Sequence, residues 1–132
     1  MATKVLDSYA MMAFFQDEPG ADFIRGLLHK AMESDTSLLM SIVNLGEVWY
    51  SIARTNSPEI ADQYIHEIKG MGIEIVETDW TLTRQAAVFK VGGNISYADC
   101  FAAALAKLKK AELITGDKEF KSLEGEIKIS WI

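Results

Sequence analysis

Ser96-Tyr-Ala-Asp99-Cys-Phe-Ala-Ala-Ala-Leu-Ala106, followed by Glu112-Leu-Ile-Thr115-Gly-Asp117-Lys-Glu-Phe120, decides how this chain is read. The first part is a helix over Ser96 to Lys110 with an acid in its first turn, and Tyr97, Phe101, Ala104, Leu105 and Leu108 form its apolar stripe. The second part is a short apolar strand, Glu112–Thr115, running into a turn that carries another acid. A helix feeding a strand that ends in an acid is half of an α/β site, because open parallel sheets bind ligands beyond the carboxyl ends of their strands.

Upstream, the same alternation repeats. Thr3 to Asp7 is a short apolar run ending in an acid, and Ser8 to Phe15 follows with helical character until Pro19-Gly20. Ala21 to Ser34 carries Phe23, Ile24, Leu27, Leu28 and Ala31 at helical spacing. Ser37 to Ser41 is a second strand, and Ile42 to Thr55 a helix with Ile42, Leu45, Trp49 and Ile52 as its stripe. Ser57-Pro58 opens a further helix that stops near Gly70, since serine caps and proline fits a first turn. Ile73 to Glu77 is strand three, Asp79 caps a helix over Trp80 to Val91, and Ile127 to Ile132 is a terminal strand. Short apolar strands separated by one or two helices imply a three-layer α/β/α domain with a mostly parallel sheet of about five strands. Residues 1–132 are read as one domain, a length that buries roughly two-thirds of the unfolded surface.

Composition narrows the function. The single cysteine, Cys100, has no internal disulfide partner, which favours a reducing, cytoplasmic setting; no histidine beside it would activate it, so it is read as core. No Cys/His spacing suggests a structural zinc. The first residues lack a signal-peptide pattern and no apolar run is long enough for a membrane span. The net charge of -6 argues against coating nucleic acid by bulk electrostatics. It leaves room for an enzyme whose acids hold cations and so reverse the local sign.

Four acids carry the functional argument, and each also has a local explanation. Asp7 fits a helix N-cap, Asp99 lies three residues after Ser96 as in a reciprocal capping box, and Asp117 follows Gly116 as a turn residue. Glu47, among Leu45, Val48 and Trp49, is either paired or a face-edge side chain reaching solvent. Together they are harder to explain. Asp7 and Asp117 stand at strand ends, and Glu47 and Asp99 fall in first turns of helices that can border that edge. Carboxylates ~5 Å apart repel by about 3 kcal/mol per pair at an effective dielectric of about 20. Raised pKa values or bound cations relieve this, and oxygen-only ligands favour Mg²⁺ or Mn²⁺. Such a cation activates water and offsets charge on an attacked phosphate.

At Val5-Leu-Asp7-Ser-Tyr9, Asn44-Leu-Gly-Glu47-Val48, Ile95-Ser-Tyr-Ala-Asp99 and Leu113-Ile-Thr115-Gly-Asp117-Lys-Glu-Phe120, in that order, the sequence resembles PIN-domain ribonucleases. It is most similar to the VapC-type toxins of prokaryotic toxin–antitoxin pairs. The resemblance implies a PIN-like fold and Mg²⁺- or Mn²⁺-dependent endonucleolytic cleavage of RNA. It carries the catalytic and metal-binding roles to Asp7, Glu47, Asp99 and Asp117, with Thr115 and Asn44 in support. It also implies a homodimer and a cognate antitoxin that enters the groove. Met11, Met12, Phe14, Phe15, Trp49 and Tyr50 are apolar enough for an interface, although core packing accounts for most of them. A non-catalytic α/β regulatory or interaction module with an acidic cation pocket is the competing reading. Against the receiver-domain version of it, Thr115-Gly-Asp117 occupies the late-strand position where a lysine belongs.

Overall fold

The computed structural model describes residues 2–33 and 35–132. Five strands, β1 (Ala2–Leu6), β2 (Thr36–Ser41), β3 (Ile73–Val76), β4 (Glu112–Thr115) and β5 (Ile129–Trp131), form one sheet in the order β3-β2-β1-β4-β5. Every neighbouring pair is parallel. The six α-helices are α1 (Ser8–Phe15), α2 (Ala21–Met32), α3 (Ile42–Thr55), α4 (Pro58–Lys69), α5 (Trp80–Gly92) and α6 (Tyr97–Lys109). This is the α/β/α architecture expected from the sequence, with the sheet wholly parallel.

Successive strand residues point to opposite faces, and the two cores divide along that alternation. Val5, Leu39 and Leu113 join α5 and α6 residues in one core. Leu6, Leu38, Met40 and Ile114 join residues of α1 to α4 in the other. Strands buried on both faces need continuous apolar runs, which is why these segments read as runs rather than as alternations.

The order of the strands places the site. From β1 the chain moves outward through β2 and β3, then crosses back to build β4 and β5 on β1's other side. The connections therefore leave β1 and β4 in opposite directions and open a crevice at their carboxyl ends. The register Leu6↔Ile114 sets Asp7 and Thr115 side by side at that edge.

Local differences from the expected pattern have physical causes. In α3 the buried residues are Asn44, Leu45, Val48 and Ile52, while Ile42 is 39 % exposed. The helix starts at the edge of the sheet, so its first side chain lies beyond the strands and the buried face is turned toward Asn44. In α6 the whole segment Asp99 to Ala106 is buried, with Tyr97 and Leu108 exposed at its ends. Four alanines there let strands and helices approach from several sides, so a one-sided stripe describes this helix poorly. The segment after Asp117 is a 3-10 helix, Lys118–Leu123, and β5 is shorter than expected. The expected end of the second helix at Ser34 lies outside the described residues. Met11 is fully buried, Met12, Phe14, Phe15 and Trp49 pack against the core, and Tyr50 is exposed. Cys100 is fully buried and free, as expected of a core residue. Among the described residues no helix is long and apolar enough to cross a membrane.

Candidate active site

Asp7 follows the last residue of β1 and caps α1, with Oδ1 accepting from the Ala10 amide at 2.8 Å. Its Oδ2 accepts from the Thr115 hydroxyl at 2.5 Å. The carboxyl group is fully buried, and burial is the main cause that pushes its pKa up to about 7. The bonds from Thr115 and Ala10 pull the other way, and the charges of Asp117 and Glu47 add to the rise. Both oxygens are thus engaged, one by the helix cap and the other by Thr115.

Thr115 joins two acids. Its hydroxyl donates to Asp7, and the same oxygen accepts from the Asp117 amide at 3.0 Å. Asp117 in turn caps the 3-10 helix by accepting the Glu119 amide at 3.0 Å. The turn reading of Asp117 holds, and the turn fixes its carboxylate at the crevice.

Asp99 departs from the expected capping box. Its amide donates to Ser96 Oγ at 3.2 Å, so Ser96 caps α6 as expected. The return bond is not made by Asp99. The Ser96 amide donates instead to Glu119 Oε1 at 3.0 Å, across 23 residues of sequence. Asp99 is nearly fully buried, with its pKa raised to about 8 by burial first and then by Asp117, Asp7 and Glu47, against the lowering bond to Ser96.

Glu47 lies in the second turn of α3, not the first, and is half-buried. Its Oε1 accepts from Ser8 Oγ at 3.0 Å and from Asn44 Nδ2 at 2.9 Å. It is therefore a paired acid rather than one reaching free into solvent. The same Asn44 Nδ2 donates to the Ala98 carbonyl at 3.1 Å and so ties α3 to the first turn of α6. Both neighbours are acceptors, which sets the orientation of the amide. Asn44 Oδ1 is buried without a partner.

Ser8, Tyr9, Glu47, Asp99, Asp117 and Glu119 are among the residues lining an open cleft of about 340 Å³ at this edge. Oxygens of Asp99, Asp117 and Glu119 lie within 4.8 Å of one another. Opposed ligands of an octahedral Mg²⁺ stand about 4.2 Å apart, so small side-chain movements bring these three to one ion. The four ion pairs among the described residues all lie elsewhere, and no lysine or arginine neutralises these acids. Carboxylates with no cationic partner, among them the buried Asp99 with its raised pKa, are a fitting donor set for a hard divalent cation.

Asp7, Glu47, Asp99 and Asp117 are thus brought to one edge, with Thr115 and Asn44 bonded to them. Glu119, Ser8 and the amide of Ser96 were not anticipated. Glu119 stands two residues after Asp117 in the quoted stretch, a spacing that could have flagged it. Its contact with Ser96 is long-range and leaves no periodic trace.

The comparisons agree with this architecture. The PIN domain family model matches residues 4–126. No curated protein matches the chain in sequence. Among solved structures, VapBC2 from Rickettsia felis, bound to a DNA fragment from its promoter, aligns with a TM-score of 0.73 at 18 % identity over 97 % of each chain. DNA-bound VapBC from Salmonella typhimurium gives 0.72 at 14 % over 98 % of each chain. VapC20 from Mycobacterium tuberculosis, a sarcin–ricin-loop cleaving toxin, gives 0.67 at 17 %, covering 94 % of this chain and 95 % of that one. These likenesses show a shared fold, and the family match over nearly the whole length shows that the chain belongs to the PIN domain family.

Proposed function

We propose that this chain is a Mg²⁺- or Mn²⁺-dependent endoribonuclease, the toxin of a toxin–antitoxin pair of the VapC type. The observation that carries the reading is the cluster of un-neutralised carboxylates at the carboxyl ends of β1 and β4. Membership of the PIN family and the sarcin–ricin-loop cleaving activity of VapC20 support RNA as the substrate class. We take residues 1–132 to act as one catalytic domain.

In this reading Asp99, Asp117 and Glu119 hold the cation, with Asp7 at the end of β1 close enough to couple electrostatically with Asp99 and Asp117. When bound, the cation supplies a more acidic water and offsets negative charge on the phosphate. Asp7 is held by Ala10 and Thr115. It loses its proton as the site fills, since a charged carboxylate is the form that binds cations. Glu47, with Oε1 fixed by Ser8 and Asn44, keeps its second oxygen for hydrogen bonding to water or substrate. Thr115 and Asn44 orient the acids without contacting the reacting atoms.

A protein antitoxin is the proposed partner, supported by fold neighbours such as a toxin–antitoxin complex from Klebsiella pneumoniae and VapBC-1 from nontypeable Haemophilus influenzae. A homodimer is the proposed assembly, supported by exposed apolar side chains such as Trp80, Val88 and Val91 on α5. The proposed location is the cytoplasm, in keeping with the free buried Cys100.

The test is incubation of the wild-type chain with transfer, ribosomal and messenger RNA in Mg²⁺, Mn²⁺ or EDTA. Internal cuts in either metal and none in EDTA are expected. Intact RNA throughout would leave the competing non-catalytic module as the better reading.

A further inference from the structure

Among the described residues no lysine or arginine lines the cleft at this edge, and the chain as a whole carries a net charge of -6. A polyanion therefore gains little from these walls, in contrast to proteins that neutralise phosphates with basic side chains. Inside the cleft itself, contact beyond a bound cation comes from uncharged groups. An unpaired base offers a π face, and stacking on an aromatic side chain is the sequence-tolerant contact used by proteins that bind single strands.

Tyr9 is the aromatic side chain among the residues lining the cleft. It directly follows Ser8, whose hydroxyl holds Glu47, so its backbone is fixed by the same helix start that places Asp7. One edge of its ring rests against Gly116, between Thr115 and Asp117. A Cβ at Gly116 would stand 2.3 Å from Tyr9 Cε1 and 2.7 Å from Cζ, so glycine is required for this contact. Tyr9 as a residue nevertheless remains 42 % exposed. It is braced by backbone on one edge and open to solvent, which makes it a platform that pays little entropy on binding.

We propose that Tyr9 is the base-stacking platform of the cleft, receiving an unpaired nucleobase of the RNA strand whose phosphate lies at the acids. This rests on the nuclease reading above. A base within a duplex has both faces covered by its neighbours, so Tyr9 makes the cleft select unpaired RNA.

The test reads binding and does not depend on cleavage. The probe is a dye-labelled, twelve-nucleotide unstructured RNA, measured by fluorescence anisotropy in Ca²⁺ against a blunt RNA duplex of the same length. Tyr9→Phe keeps the π face. Tyr9→Leu keeps apolar cover over Gly116 but has no π face. Thermal midpoint and Mn²⁺ affinity are measured for each variant. Tyr9→Phe is expected to bind the single strand within about twofold of wild type, and Tyr9→Leu roughly 5- to 150-fold more weakly, as loss of one stacked base implies. Tyr9→Leu should leave the thermal midpoint and Mn²⁺ affinity unchanged and abolish the preference over duplex. Equal binding by Tyr9→Leu, a loss of binding matched by a loss of stability or Mn²⁺ affinity, or no RNA binding by wild type each overturns the proposal. If wild type binds the strand through Tyr9 yet never cuts it in Mg²⁺ or Mn²⁺, stacking stands and the nuclease reading fails.

Discussion

The backbone amide of Ser96 donates to Glu119 Oε1 at 3.0 Å, although Asp99 occupies the helix position whose side chain ordinarily accepts that proton. Glu119 replaces Asp99 in the capping arrangement, and the Asp99 carboxylate is left to face Asp117. A local capping motif is in this way completed by a distant acid, which leaves the Asp99 carboxylate free of the Ser96 amide.

In the proposed site Glu119 has two roles that can be separated. Glu119→Gln keeps an acceptor for the Ser96 amide and removes the charge, so the thermal midpoint should hold while Mn²⁺ affinity falls about tenfold. Glu119→Ala should show the same loss of affinity and an added stability cost of about 1 kcal/mol or less, because the bond is exposed. Calorimetric Mn²⁺ titration beside thermal unfolding checks both. Unchanged affinity in both variants would confine Glu119 to capping.

Without divalent metal, stability should fall as pH rises. The folded-state pKa values of Asp7, about 7, and Asp99, about 8, lie above the unfolded value of 3.8. Between about pH 4 and 8 the folded chain holds protons that the unfolded chain has lost, so each unit of pH in that window lowers stability. The contribution is fully present below the unfolded value and is lost as pH passes the folded values. For Asp7 the whole window amounts to about 4 kcal/mol. Urea denaturation in EDTA across this range measures the slope. Saturating Mn²⁺ should flatten it, most strongly at the alkaline end.

Thr115→Val removes the hydroxyl that donates to Asp7 and accepts from Asp117. The buried acceptor left behind should cost about 1–3 kcal/mol. Because the Thr115 bond holds the Asp7 pKa down, its loss should move the acid limb of the metal-dependent activity profile to higher pH. Thr115→Ser should restore both. Urea midpoints and a pH–rate profile test the pair of effects.

Asn44→Leu cuts the link between α3 and α6 and frees Glu47 from one of its two donors. The Ala98 carbonyl and Glu47 lose a partner, but an orphaned amide oxygen is also removed. The stability loss should therefore stay within about 2 kcal/mol, while kcat falls roughly tenfold or more with KM little changed. A collapse of stability with no change in kcat per folded molecule would make Asn44 purely structural.

The architecture was legible because each strand is a short apolar run buried on both faces, and runs of that kind separated by helices have few topologies. The positions of Asp7 and Asp117 at strand ends followed directly from where the runs stop. Other features depend on contacts between distant segments. Asn44 is buried because α6 crosses the start of α3, which the spacing of apolar residues in α3 alone does not encode. Asp99 matched a capping box in sequence, yet Glu119 from beyond β4 takes its place. The all-round burial of α6 came from its alanines, which suit a stripe or a fully enclosed helix equally well.

The central claim is that these carboxylates hold a divalent cation with which the chain cuts RNA. Its most direct test is cleavage of one RNA panel in Mn²⁺ by the wild type and by Asp99→Asn, with both proteins shown to be folded. The account predicts metal-dependent internal cleavage by the wild type, abolished by EDTA and reduced roughly a hundredfold or more by the substitution. Equal cleavage by the two proteins, or cutting that persists in EDTA, would contradict it.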